Sequence, residues 1–176
     1  SMSTVLAASF GNDLALTVQP DVGVGHSAAR LLSHTKLDHL SRWLPEDFSD
    51  DEVRNYLYNK SLAPATVPHE LRELYLEHAL ARQCLQVAAG AARPSWSNKA
   101  QANYGGLMPP FDTIIGSGAV LARAPRPGQA ALMMIDGLQP LGVTSLTLDV
   151  HGALPAVGAA AMQNPVAAVQ VLQSNS

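Results

Sequence analysis

Two short apolar runs, Thr4 to Ser9 and Leu14 to Val18, flank Gly11-Asn12-Asp13, a composition that favours a tight turn with positive φ. Together they predict a β-hairpin. After Pro20 the stretch Asp21-Val-Gly-Val-Gly-His-Ser27 leads into Ala28, Ala29, Leu31 and Leu32, which predicts a short strand, a glycine turn and a helix start near Ser27. Ser49-Asp-Asp-Glu52 has the form of a capping box, and Val53, Tyr56 and Leu57 share one face of the helix that follows.

The longest helical pattern opens at Thr66-Val-Pro68, with Pro68 and Glu70 in its first turn, and closes at Gly90, Arg93 and Pro94. Leu71, Leu74, Tyr75, His78, Ala81, Leu85 and Ala88 recur at helical spacing, and Leu76, Leu80 and Val87 add a second stripe. Two stripes describe a helix covered on much of its girth. From 91 to 110 the periodicity stops, and the segment reads as a long connection, either mobile or functional.

Asp112-Thr-Ile-Ile-Gly116 then predicts a buried strand ending in Gly116-Ser117-Gly118, and Ala130, Ala131, Met134 and Leu138 mark a helix between Pro127 and Pro140. Ser145-Leu-Thr-Leu-Asp149 is the last strand. Helices follow over about Pro155 to Met162 and Pro165 to Leu172. A hairpin followed by strands alternating with helices indicates an α/β layer structure built on a mixed sheet with packed helices.

Length changes this picture little, since 176 residues, 47% of them hydrophobic, suit a single domain over 1–176 with a sizeable core. Charge excludes more. Eleven basic against 14 acidic side chains give a net charge of -3, so no strong field draws the chain to nucleic acid or anionic lipid. No apolar stretch approaches the ~18 residues that cross a bilayer, and Ser1-Met2-Ser3-Thr4 lacks the charged start of a signal peptide. The expectation is a soluble cytoplasmic protein without membrane or nucleic-acid partners, excised from something longer.

The loop Gly116-Ser117-Gly118-Ala119 follows a strand, where small residues let a nucleotide lie against the backbone. Its pattern alone suits a tight strand-to-loop turn better than a nucleotide site: it has no Gly-Lys-Ser/Thr of a Walker A motif and is not a full G-x-G-x-x-G, because Leu121 replaces the third glycine. Gly23, Gly25 and Ser27 could offer amides and a hydroxyl to an anion, or simply form a hairpin exit with a serine cap.

His26 and Ser27 are adjacent and poorly placed to act on one another, and a hydrolase triad would need Asp21, or Asp149 with His151. No catalytic residue is assigned. His34, His39, His69 and His78 lack metal-ligand spacing and read as surface or half-buried side chains, so no metal site is assigned either. Cys84 cannot form an internal disulfide and reads as a packing residue, and Trp43 and Trp96 as core or interface filling.

Several segments carry a resemblance. They are Pro20-Asp-Val-Gly-Val-Gly-His-Ser-Ala-Ala-Arg30, Trp43-Leu-Pro45, Asn59-Lys60 with Pro64-Ala-Thr-Val-Pro68, and Ala79-Leu-Ala-Arg82. The most specific are Ile114-Ile-Gly-Ser-Gly-Ala-Val-Leu-Ala-Arg-Ala-Pro-Arg-Pro127 and Asp136-Gly-Leu-Gln-Pro-Leu-Gly-Val143. In this order, from about Asp13 to Pro165, the chain resembles the glutamate mutase accessory protein family, MutL or GlmL, and not the mismatch-repair protein of the same short name.

The resemblance implies the second lobe of an ASKHA fold, the actin, heat-shock-chaperone and sugar-kinase type, in which two RNase H-like lobes clamp ATP and magnesium. Gly116, Ser117, Gly118 and Ala119 would be the adenosine turn, and Gly23, Gly25 and Ser27 a phosphate-side turn before the first long helix. The Asp-x-Gly-x-x-x-Thr phosphate motif that opens this lobe in the family is missing, so nucleotide held by this chain alone should be weak, with ATPase activity kept to a full-length parent. Partners implied are the first lobe and an adenosylcobalamin-dependent mutase served by a reactivating chaperone. A non-catalytic interaction scaffold is the alternative, and a homodimer is expected where the face towards the first lobe is bare.

Overall fold

The structure is a computed structural model whose described residues are 3–45, 47–96, 104, 107–166 and 170. β1 (Thr4–Phe10) and β2 (Asp13–Gln19) form the expected antiparallel hairpin, pairing Val5 with Val18 and Ala7 with Leu16. Its inner face sends Leu6, Ala8, Phe10 and Ala15 into the core, and its outer face leaves Val5, Leu14, Leu16 and Val18 exposed.

The strand expected after Pro20 does not form. Residues 21–28 are turns and bends, and in place of a helix from Ser27 there is a five-residue 3-10 turn, Ala29–Ser33. The physical reason is tertiary: the Val22 carbonyl accepts from the Thr4 hydroxyl at 2.8 Å, and the Ala29 amide is capped by Ser61 at 2.8 Å.

A short helix α1 (Leu37–Ser41) precedes α2 (Asp50–Leu62), which starts where its capping signal placed it. Ser49 accepts the Glu52 amide at 3.3 Å, while the Glu52 carboxylate engages the Arg72 guanidinium at 2.8 and 2.9 Å. α3 (Leu71–Ala92) begins later than expected, leaving Pro68 outside it and Glu70 as its N-cap. Lys60 holds the Thr66 carbonyl at 2.6 Å and Glu73 reaches back to the His69 amide at 2.7 Å, so residues 66–69 are fixed ahead of the first turn. The expected connection over 91–110 starts late too, since α3 runs to Ala92 and Arg93–Ser95 is a 3-10 turn ending at buried Trp96. Most of what remains of it, 97–103, 105 and 106, lies outside the described residues.

β3 (Thr113–Ser117), α4 (Ala119–Ala122), α5 (Pro127–Leu138), β4 (Ser145–Asp149) and α6 (Leu154–Ala161) complete the chain. The helix expected over Pro165 to Leu172 falls largely outside the described residues. β3 and β4 pair in parallel.

The mixed sheet is not one sheet: among the described residues the strands form two separate two-stranded sheets. They meet through side chains instead of a ladder, with the Phe10 and Phe111 rings 5.5 Å apart and Trp96 packed on both.

The core has three clusters sharing α3. Leu31, Leu40, Val53 and Leu57 pack on Leu76 and Leu80; the hairpin packs on Ala89 and Ala92; Leu121, Met133 and Met134 pack on Ala81 beneath β3 and β4. α5 crosses α3 so closely that a Cβ on Gly137 would lie 2.9 Å from the Arg82 carbonyl oxygen, and Arg82 bonds the adjacent Asp136 at 2.7 Å.

Candidate functional site

β3 alternates as a strand with one covered face. Ile114 and Gly116 turn towards α4 and α5, and Thr113, Ile115 and Ser117 turn outwards. Gly116 packs tightly, and a Cβ there would meet the Met134 sulfur at 2.7 Å and the Leu121 side chain at 3.1 Å, so those two side chains would have to shift. Gly118 is demanded by backbone, standing at φ 122 and ψ 155, a region that side-chain-bearing residues rarely enter. No described atom lies within 4 Å of where its Cβ would be, so among the described residues space is open beside the turn before Ala119 begins α4.

The parallel register brings a second strand end to this turn. Ser117 pairs with Asp149 on the last rung, and its hydroxyl donates to the Asp149 carboxylate at 3.1 Å. The same carboxylate accepts the Ala153 amide at 2.8 Å and the Leu154 amide at 3.1 Å, capping the approach to α6. Gly152, at φ 65, lets the chain fold back between them. The Leu154 amide foremost, then the Ala153 amide and the Ser117 hydroxyl, holds the Asp149 carboxyl below the usual carboxylate range.

The carboxyl edge of β3 and β4 thus gathers Gly116, Ser117, Gly118 and Ala119 with Asp149. This is where α/β sheets receive nucleotides. Asp149 was legible only as a remote triad partner, although its place between a strand pattern and a glycine before a helix is that of a capping aspartate.

Gly23, Gly25 and Ser27 lie in the turn between β2 and the 3-10 helix, all three buried. The Ser27 hydroxyl donates to the Pro20 carbonyl at 3.4 Å, while Val24 between the glycines packs with both the first and the third core clusters. Of the triad candidates, Asp21 pairs with Arg30, the Ser27 hydroxyl bonds the Pro20 carbonyl, Asp149 is engaged by Ser117 and the start of α6, and His26 and His151 are exposed.

His34, His39 and His69 are exposed, but His78 is buried on α3, correcting its reading as a surface or half-buried residue. Burial, with help from the nearby Arg82 charge, lowers its pKa. No group of three or more His, Cys, Asp or Glu is placed to hold a metal among the described residues, and no described helix is long and apolar enough to cross a membrane.

Among the described residues, two of the surface clefts lie elsewhere. The larger, about 520 Å³, sits between α2 and the start of α3, where Arg72 is already bound by Glu52 and Asp47 and stacked 4.0 Å over Phe48. The other, about 360 Å³, is lined by His34, Lys36 and His39.

A family model described as MutL protein matches residues 2–176. No curated protein and no solved structure matches the chain.

Proposed function

Because the chain belongs to the MutL family, the glutamate mutase accessory family and not the mismatch-repair one, we propose that it is the nucleotide-binding second lobe of an RNase H-like, ASKHA-type ATPase. Its work is to reactivate an adenosylcobalamin-dependent mutase such as glutamate mutase. One observation carries the reading: β3 and β4 end together, and the glycine turn at that edge has open space beside it. Adenosine lies along Gly116, Ser117 and Gly118, where missing side chains permit close approach and Gly118 supplies the backbone shape.

Magnesium would be carried on the nucleotide phosphates, with at most one or two carboxylates of the protein beside it, as magnesium commonly is. The Asp149 carboxylate is engaged by the Ser117 hydroxyl and by the Ala153 and Leu154 amides. In the turn at Gly23, Gly25 and Ser27, the Ser27 hydroxyl would have to turn from the Pro20 carbonyl to donate to a phosphate.

The test is calorimetry with ATP and magnesium on the wild-type chain and on Gly118→Arg, paired with co-purification with glutamate mutase. Weak ATP binding that Gly118→Arg removes supports the reading; absence of binding by the wild type, or binding that survives the substitution, refutes it.

A second reading, a non-catalytic scaffold, is favoured by the apolar outer face of the hairpin, where Val5, Leu14, Leu16 and Val18 are each more than half exposed. Mutase binding without ATP binding would select it. Self-association through the same face predicts a homodimer, which sedimentation equilibrium tests.

A further inference from the structure

We infer that Asp149 is a positioning residue for the nucleotide turn, clasping the end of β3 to the first turn of α6 so that the Ser117-Gly118 peptide is set before ligand arrives. The inference rests on the nucleotide reading of that turn. Ser117 and Asp149 are 32 residues apart in sequence, yet one carboxylate takes the Ser117 hydroxyl at 3.1 Å and the Ala153 and Leu154 amides at 2.8 and 3.1 Å.

The turn needs such a tether. Gly118 has no side chain to restrict its backbone, no described atom lies within 4 Å of where its Cβ would be, and α4 behind it begins without a side-chain cap. A turn left to fluctuate must be ordered when the nucleotide binds, and that cost is subtracted from affinity. Asp149 acts through Ser117, so its removal weakens binding without deleting a ligand contact.

The experiment is an amide-resolved NMR titration of the full chain with ATP and magnesium, with hydrogen exchange measured on the same samples. Asp149→Ala should weaken ATP about tenfold, the equivalent of one hydrogen bond to a charged group. Exchange should rise at Gly118 and Ala119 together with Ala153 and Leu154. Ser117→Ala should weaken ATP less, and adding it to Asp149→Ala should cost nothing further, because both changes open the same link. Asp149→Asn, which keeps an acceptor and the side-chain shape, should recover part of the affinity and keeps the test readable if the alanine variant does not fold.

Faster exchange at Ala153 and Leu154 with unchanged Gly118, Ala119 and ATP affinity would reduce Asp149 to a helix cap and overturn the inference. A wild type that fails to bind ATP, while Asp149→Ala still loosens Gly118, would instead overturn the nucleotide reading and the positioning role with it.

Discussion

Ser117 and Asp149 face each other across the final rung of the β3 and β4 ladder, joined both by strand register and by a hydroxyl-to-carboxylate hydrogen bond of 3.1 Å. The same carboxylate also takes the Ala153 and Leu154 amides, so one side chain at the end of β4 ties the end of β3 to the start of α6.

This contact has a pH signature. The Asp149 carboxyl is held below its usual range in the fold, so its contribution is complete above the unfolded carboxyl pKa and is lost as pH falls through the lowered folded value. In an acid titration followed by NMR, the Ala153 and Leu154 amides should shift together over that window. Asp149→Asn should abolish their common inflection.

His78 gives a second, higher window. Its pKa is lowered by burial first and Arg82 second, so the unfolded chain binds its proton more readily. Stability is therefore complete above the ordinary histidine pKa of 6.5 and declines as pH drops towards the folded value. Urea midpoints measured from pH 7.5 to pH 5 should fall for the wild type and flatten in His78→Gln.

Lys60 and Glu77 form an ion pair between α2 and α3 with side-chain exposures of 4% and 11%. Removing one partner strands a buried charge, so Lys60→Met should cost about 3–5 kcal/mol. The double variant Lys60→Met with Glu77→Leu should regain most of that, as read from urea denaturation. A double variant as unstable as the single one would refute the argument.

Two glycines of α5 should respond oppositely to alanine. Gly137→Ala drives a Cβ to 2.9 Å from the Arg82 carbonyl and 2.6 Å from the Leu85 Cβ, an overpacking that should destabilise by about 1–3 kcal/mol. At Gly128 no described atom lies within 4 Å of where a Cβ would be, so alanine should stabilise by up to about 1 kcal/mol through helix propensity. Thermal unfolding of the pair measures both.

Cys84 is 2% exposed, and burial pushes its thiol up to about 12. Iodoacetamide at pH 8 should leave it unmodified in the native protein and alkylate it promptly in urea, which mass spectrometry distinguishes.

Features declared by neighbouring residues were legible in the chain. The hairpin follows from two apolar runs around Gly11-Asn12, and α2 from Ser49 with Glu52 three residues on. What escaped was decided by distant partners. The cap on Ala29 comes from Ser61, the start of α3 is held back partly by Lys60 on α2, and the two sheets meet through rings, with no local pattern to announce it.

The same division holds at the site. Gly116, Ser117, Gly118 and Ala119 were legible as a turn after a strand, but Asp149 joins them only through the parallel register of strands separated by α4 and α5.

The way α3 contributes to all three core clusters bears on how the protein comes apart. Leu76, Ala81 and Ala89 lie on one continuous rod, so melting any cluster removes a wall from the next. Unfolding should then be all-or-none, with coincident near- and far-ultraviolet dichroism transitions. The slowest-exchanging α3 amides report the free energy of the whole molecule, whereas those of α6, which buries no residue, report only local opening.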